Sequence, residues 1–322
     1  MSTVTILGGG AFGTALAIAI GRAGTPVTLW MRDADHAAAV QHDRENRARL
    51  PGAALPPTVT ATAELTPVAP GTAVLLSVPM QQLASVLEQH RDALTGAALV
   101  ACCKGMDLTR GLGPTGVIAE VMPGATAAIL TGPSFAADIG IGLPTALTLA
   151  CTDDVAGGAL QQALSTPVLR LYRSADPIGA EIGGALKNVI AIACGTCIGA
   201  GFGESARAAL MTRGYAEMVR LAVDLGGRAE TLSGLCGFGD LALTCGSDLS
   251  RNFRHGLALG RGAEIDATAT VEGVATARAT AALADRRGIE MPIAHVVAGL
   301  CSGALTPEAA MDRLLARPLK EE

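Results

Sequence analysis

In the first half of the chain, apolar residues fall in short continuous blocks, each closed by glycine, proline or a polar turn. Val4–Leu7 is such a block and ends at Gly8. Ala11–Arg22 reads as a helix, Gly24 and Pro26 break the pattern, and Val27–Trp30 reads as a second strand. "AVLLSVP" (73–79), "ALVACCKG" (98–105), "AAILTGPS" (127–134), "TALTLA" (145–150) and "VLRLY" (168–172) continue the series. Apolar strands without alternation, separated by helical stretches, predict a parallel sheet covered on both faces.

After "SADPIGAEIGGALKN" (174–188) the pattern changes, and no further strand is evident. Ala- and Leu-rich segments between glycine clusters predict helices over 178–199, 205–226, 228–235, 250–260, 270–287 and 292–317. The fold class expected is α/β, with a parallel-rich N-terminal domain over 1–182 and an all-α C-terminal domain over 183–322.

Composition narrows the function. A chain of 322 residues suits two domains, and 50% hydrophobic content supports a large core. A net charge of −5 offers no polyanion-binding surface, so nucleic acid is not an expected partner. The eight cysteines are scattered. Cys194 and Cys197 form a lone C-x-x-C without a second pair or a histidine cluster, so neither a disulfide framework nor a metal site is expected. The thiols read as small core residues of a reducing cytoplasm. The apolar stretch "ILGGGAFGTALAIAIG" (6–21) has no basic residue before it and is interrupted by glycines, and the uncharged run 188–203 is short and glycine-rich. No membrane span is expected.

Gly8, Gly10 and Gly13 spell G-x-G-x-x-G between a strand and a helix, the context of a dinucleotide-binding (Rossmann) fold. There the first glycine permits the tight turn, the second lets backbone approach a pyrophosphate, and the third lets helix pack on strand. The helix N-terminus adds free N–H groups and a positive dipole end. At the end of the second strand stand Arg32 and Asp33. An acidic residue there suits the ribose hydroxyls of NAD and an arginine the 2′-phosphate of NADP, so both cofactors stay open, with NADPH favoured for the reach of Arg32.

Lys187 is the only ionisable side chain between Glu181 and Glu204 apart from two cysteines. A lysine buried in so apolar a helix loses basicity and comes into range for proton transfer, unless it snorkels to the surface. Asn188 beside it suits a substrate hydroxyl. In "GLCGFGDLALTCGSDLSRNFRHG" (234–256), Asp240 lies in a glycine-rich apolar turn, and Ser250 reads as an N-cap. That helix start with Arg251 and Asn252 makes a phosphate site. Lys104 and the "TGPSFA" stretch (131–136) end strands at the carboxyl edge of the sheet, where ligands bind in such folds.

With these residues the chain resembles bacterial NAD(P)-dependent glycerol-3-phosphate dehydrogenase. The likeness runs through "GGGAFGTALA", "CCKG", "TGPSFA", "GLPTA", "IGGALKNVIAI", "GFGESARAALMTRG", "CGFGDLALTC", "SRNFRHG", "VEGVATA" and "GIEMPI". It implies interconversion of dihydroxyacetone phosphate and sn-glycerol 3-phosphate, supplying glycerophospholipid synthesis, by a Rossmann domain followed by a helical substrate domain. It implies Lys187 as catalytic acid and base, with Asp240 and Lys104 as further catalytic residues. Lys104, Gly132, Ser134, Asn188, Asp240, Ser250, Arg251 and Asn252 match substrate positions. Gly8, Gly10, Ala11, Phe12, Gly13, Arg32, Lys104, Ala136, Arg251 and Glu272 match cofactor positions. Ala11 and Phe12 stand where the family often has serine and an aromatic, so backbone N–H groups must replace one side-chain phosphate bond. Two other readings are a 3-hydroxy-acid dehydrogenase, against which the "SRN" site argues, and an NAD(P) sensor, which needs no buried lysine. A homodimer is the working expectation for assembly.

Overall fold

The computed structural model describes residues 3–264 and 271–315. Its N-terminal part is one eight-stranded sheet in the order β3-β2-β1-β4-β5-β6-β7-β8. The strands are β1 (Val4–Leu7), β2 (Val27–Trp30), β3 (Val59–Thr62), β4 (Ala73–Leu76), β5 (Ala98–Ala101), β6 (Thr126–Thr131), β7 (Thr145–Cys151) and β8 (Leu169–Ser174). The first six are parallel, and the α/β class with a parallel-rich sheet read from the sequence holds. Helices α1 (Ala11–Arg22), α2 (Ala34–Asp43), α3 (Leu83–Gln89), α4 (Pro114–Val121), α5 (Ala136–Ile141) and α6 (Asp154–Leu164) connect the strands. Alternate residues along each strand serve opposite faces. Val4 and Ile6 pack with Leu16 and Ile20 of α1, while Leu7, Val74 and Leu76 pack with Leu83 of α3 and Val117 of α4.

The expected parallel sheet needs one correction, because β7 runs antiparallel to β6, with Thr131 opposite Thr148. The physical reason is reach. The only helix between them, α5, has six residues and spans about 9 Å, whereas recrossing the six-residue β6 takes about 20 Å. β3 was not foreseen. It is a four-residue strand in which Val59 and Ala61 are buried and Thr60 is exposed.

After β8 the described chain is helical: α7 (Pro177–Gly199), α8 (Gly203–Asp224), α9 (Ala229–Leu232), α10 (Asp240–Thr244), α11 (Arg251–Arg261), α12 (Glu272–Arg287), α13 (Pro292–Cys301) and α14 (Pro307–Leu315). Two expected helices are corrected. The 228–235 segment is the four-residue α9, followed by a π-helical turn at Leu235–Gly239. The 292–317 segment breaks between α13 and α14, where Gly303 takes φ +74°. Residue 270 and residues 316–317, at the ends of two expected helices, lie outside the described residues.

α7 organises this half. Asp176 caps it by accepting from the Gly179 N–H at 2.9 Å, and Pro177 occupies its first turn. Its 23 residues are long and apolar enough to cross a membrane, a longer stretch than the uncharged run 188–203 considered in the sequence. Yet 89% of its apolar window is buried inside the protein. α11 crosses α7 in backbone contact. A Cβ on Gly195 or Gly199 would run into the carbonyls of Phe253 and Leu257, and one on Gly256 or Gly260 into those of Ile192 and Thr196. These glycines, four residues apart on both helices, let α11 lie in close contact along the C-terminal end of α7. Glu181 of α7 accepts from the Thr115 N–H at 2.5 Å, so it caps α4 and ties α7 to the sheet half.

Candidate active site

The strand order reverses between β1 and β4, which opens a crevice at their carboxyl ends. Gly8 has φ +118°, and a Cβ there would run into the Ser77 carbonyl; one on Gly13 would run into the Gly8 carbonyl. The fold itself demands both glycines. Gly10 differs: its φ is −72°, and nothing lies within 4 Å of a Cβ placed on it. It borders an open cradle. Gly10 is also the N-cap of α1, with no side-chain cap and no acidic residue in the first turn, so the N–H groups at Ala11, Phe12 and Gly13 are left for a ligand. This geometry fits a pyrophosphate. Arg32 lies exposed beyond β2, while the Asp33 carboxylate caps α2 by accepting from the His36 N–H at 3.0 Å.

A second cluster joins three sequence-distant residues. Lys187, 7% exposed, donates from Nζ to Asp240 Oδ1 at 2.9 Å and to Thr244 Oγ1 at 2.8 Å. Lys104 donates to Asp240 Oδ2 at 2.5 Å and to the Gly132 carbonyl at 3.3 Å. Asp240, fully buried, therefore carries one lysine on each oxygen. Burial pushes its carboxyl up, but the Lys104 and Lys187 ammoniums outweigh that and hold it below the usual carboxylate range. For Lys187, burial pulls the ammonium down, Asp240 lifts it, and Lys104 lowers it again, leaving it at about 8. An ammonium has three donors. The two bonds seen among the described residues leave one for a substrate oxygen.

Next to Lys187, Asn188 Oδ1 accepts from Asn252 Nδ2 at 2.9 Å, and Asn252 Oδ1 accepts from the Gly273 N–H at 3.0 Å. Ser250 caps α11 by accepting from the Phe253 N–H at 3.2 Å. Arg251 is exposed beside this helix start. Glu272 begins α12 close to these charges: burial pushes its carboxyl up against the pull of Arg251, Lys104 and Lys187. Gly132 and Ser134 line the turn after β6, where the Ser134 hydroxyl donates to the Gly132 carbonyl at 3.1 Å. Ala136 starts α5, half-buried. The structure thus gathers Lys104, Gly132, Lys187, Asp240, Arg251 and Glu272 around one centre, with Asn188 and Asn252 adjoining. Arg32 lies apart, at the glycine-loop end.

Sequence reasoning missed Thr244 here and gave Thr131 only as the start of the "TGPSFA" stretch. Thr244 accepts from Lys187 and donates to Asp240 at 3.2 Å; its signal is the four-residue spacing from Asp240 within α10. Thr131 is fully buried, and its hydroxyl has no partner among the described residues. A Cβ on Gly184 would meet that hydroxyl at 2.7 Å and the Lys104 side chain at 3.5 Å.

Residues 3–156 match the family described as NAD-dependent glycerol-3-phosphate dehydrogenase N-terminus, and residues 176–312 its C-terminus. The chain is 61% identical over 320 residues to a glycerol-3-phosphate dehydrogenase (NAD(P)+) of Ruegeria sp., covering 99% of this chain and 100% of that one. It is 60% identical to the Cereibacter sphaeroides protein of the same name, with the same coverage. Among solved structures it resembles glycerol-3-phosphate dehydrogenase from Coxiella burnetii, at 34% identity and a TM-score of 0.91 over 98% of this chain and 99% of that one.

Proposed function

The chain belongs to the NAD-dependent glycerol-3-phosphate dehydrogenase family, and from that premise we propose that Lys187 is its general acid and base, held in place by Asp240. As in the family, the enzyme interconverts dihydroxyacetone phosphate and sn-glycerol 3-phosphate with NAD or NADP. The 3-hydroxy-acid and sensor readings are thereby set aside.

When bound, the reduced nicotinamide supplies a hydride to carbon 2 of the ketone. Lys187 donates its free proton to the carbonyl oxygen, and in the reverse direction takes it back from the hydroxyl. Asp240 and Thr244 fix the ammonium so that only this proton points away from them. Lys104 balances the Asp240 carboxylate and positions the Gly132 turn. Arg251, Asn252 and the α11 start hold the substrate phosphate, and Asn188, held by Asn252, orients the hydroxyl next to the carbonyl.

The observation that carries this reading is one buried carboxylate shared by two lysines. It makes a pH prediction. Reduction needs the Lys187 ammonium, so kcat/KM for dihydroxyacetone phosphate falls as pH rises through about 8, while oxidation of glycerol 3-phosphate rises over the same interval. Asp240→Asn removes the anion that lifts Lys187, and the falling limb moves to lower pH. Stopped-flow rates of reduction and of oxidation from pH 6 to 10 measure both limbs. A limb unmoved by Asp240→Asn removes Asp240 from the role.

NADPH is the proposed preferred cofactor. The support is that Arg32 is exposed while the neighbouring Asp33 carboxylate is engaged in capping α2. A charge-assisted arginine–phosphate bond contributes about 1.5–3 kcal/mol, or roughly 10–150-fold. Arg32→Ala is expected to reduce the NADPH/NADH ratio of kcat/KM by about that factor; an unchanged ratio shows that Arg32 does not read the phosphate.

We further propose the division of labour expected from the sequence, with cofactor on 1–182 and substrate on 183–322, although α7 runs unbroken through that boundary. Eight free cysteines, seven of them buried, support a cytoplasmic setting, in which the product feeds glycerophospholipid synthesis. The homodimer is carried from the sequence reading, and light scattering in solution tests it.

A further inference from the structure

Asn46 lies just beyond α2 and is fully buried. Its Nδ2 donates to the Gly9 carbonyl at 2.9 Å and to Thr14 Oγ1 at 2.8 Å. Its Oδ1 is bonded to His36 Nε2 at 2.9 Å. Gly9 O can only accept, so the amide has one orientation, and His36 is the donor to Oδ1. Three partners on three segments thus converge on one side chain: the glycine loop, the first turn of α1, and α2.

We propose that Asn46 is a positioning residue for the pyrophosphate loop, holding the Gly9 carbonyl and thereby aiming the Gly10 N–H into the open cradle. This rests on the reading of that loop as the cofactor site. The peptide between Gly9 and Gly10 is planar and trans, so its C=O and N–H point in opposite directions. Anchoring the carbonyl on Asn46 fixes where the N–H points. Gly10 is the residue whose Cβ space is empty, so this N–H belongs to the residue bordering the cradle. If the plane flipped, a carbonyl oxygen would replace a donor beside an anionic pyrophosphate. The bond to Thr14 locks the same loop to the helix end whose N–H groups complete the cradle.

Asn46→Asp keeps the size but replaces the donor with an acceptor, which repels the Gly9 carbonyl. It is expected to raise the Kd for NADPH about tenfold or more, measured by fluorescence titration. The Kd for adenosine 2′-phosphate, which has no pyrophosphate, and kcat at saturating NADPH should stay within about threefold. An unchanged Kd for NADPH overturns the proposal, as does an equal loss for both ligands, which would place the effect in α2 and not in the loop. If Asn46→Asp lacks the wild-type circular dichroism, His36→Ala decides. It removes the bond that braces the amide through Oδ1, and a rise of about threefold or more in the NADPH Kd, with the adenosine 2′-phosphate Kd held, supports the proposal, while no rise overturns it. Gly10→Val is the control. Should it retain cofactor affinity, the loop reading fails and this inference with it; should it lose affinity while Asn46→Asp does not, only the role of Asn46 fails.

Discussion

Lys187→Met is expected to lower kcat by about 10²–10⁴-fold, the usual cost of losing a general acid and base, while leaving the Kd for NADPH within about twofold. Methionine matches the length of the lysine stem and is apolar, so it suits the packed interior of α7. Removing one partner of a buried ion pair normally leaves an uncompensated charge. Here Asp240 keeps its second lysine, since Lys104 remains on Oδ2 at 2.5 Å, so the carboxylate is not orphaned and the fold is expected to survive. Thr244 loses the donor it accepts from but keeps its own bond to Asp240. Single-turnover reduction under saturating NADPH, beside a fluorescence titration of the cofactor, separates chemistry from binding. A folded variant with more than about a tenth of the wild-type kcat makes Lys187 a structural residue.

That lysine shows how far the sequence carries the site. A single charge in a long apolar stretch is visible without coordinates, because burying it is costly unless it is paired. Its partners are not visible in any local pattern, and only the family resemblance named Asp240 and Lys104. Asp240 is 53 residues away from Lys187 and 136 from Lys104, and no local period links them. Thr244 carried a weak local signal only, one helical turn after Asp240, and Asn46 none, since its partners are a backbone carbonyl, a threonine and a histidine brought together by the fold. The α/β order was readable from apolar blocks closed by glycine. The direction of β7 was not, because it depends on how far α5 can travel, and residue type does not encode that. The many glycines of the second half mark breaks in a linear reading. In space, Gly195, Gly199, Gly256 and Gly260 sit inside helices, where they allow α7 and α11 to touch.

Gly10→Val is expected to weaken NADPH and NADH binding by about a hundredfold or more with little loss of thermal stability. The two halves of this statement come from the same geometry. A side chain fits the protein at this position, since φ is −72°, an ordinary value for any residue, and no atom lies within 4 Å of the added Cβ. The cost to folding is that of a β-branched residue at a helix N-cap, about 1 kcal/mol. The same space is the cradle beside the uncapped α1 terminus, so the isopropyl group occupies the place of the pyrophosphate. Displacing two charge-assisted hydrogen bonds of about 1.5–3 kcal/mol each costs about 3–6 kcal/mol, which is a hundredfold or more. Gly13→Ala is the contrasting change. Its Cβ would run into the Gly8 carbonyl, so it forces helix and strand apart and is expected to lower Tm. Differential scanning calorimetry with and without NADPH distinguishes them: Gly10→Val lowers the unliganded Tm by only a few degrees but loses the shift on adding cofactor, whereas Gly13→Ala lowers the unliganded Tm much further. If Gly10→Val retains the full cofactor-induced shift, the pyrophosphate does not lie on this loop.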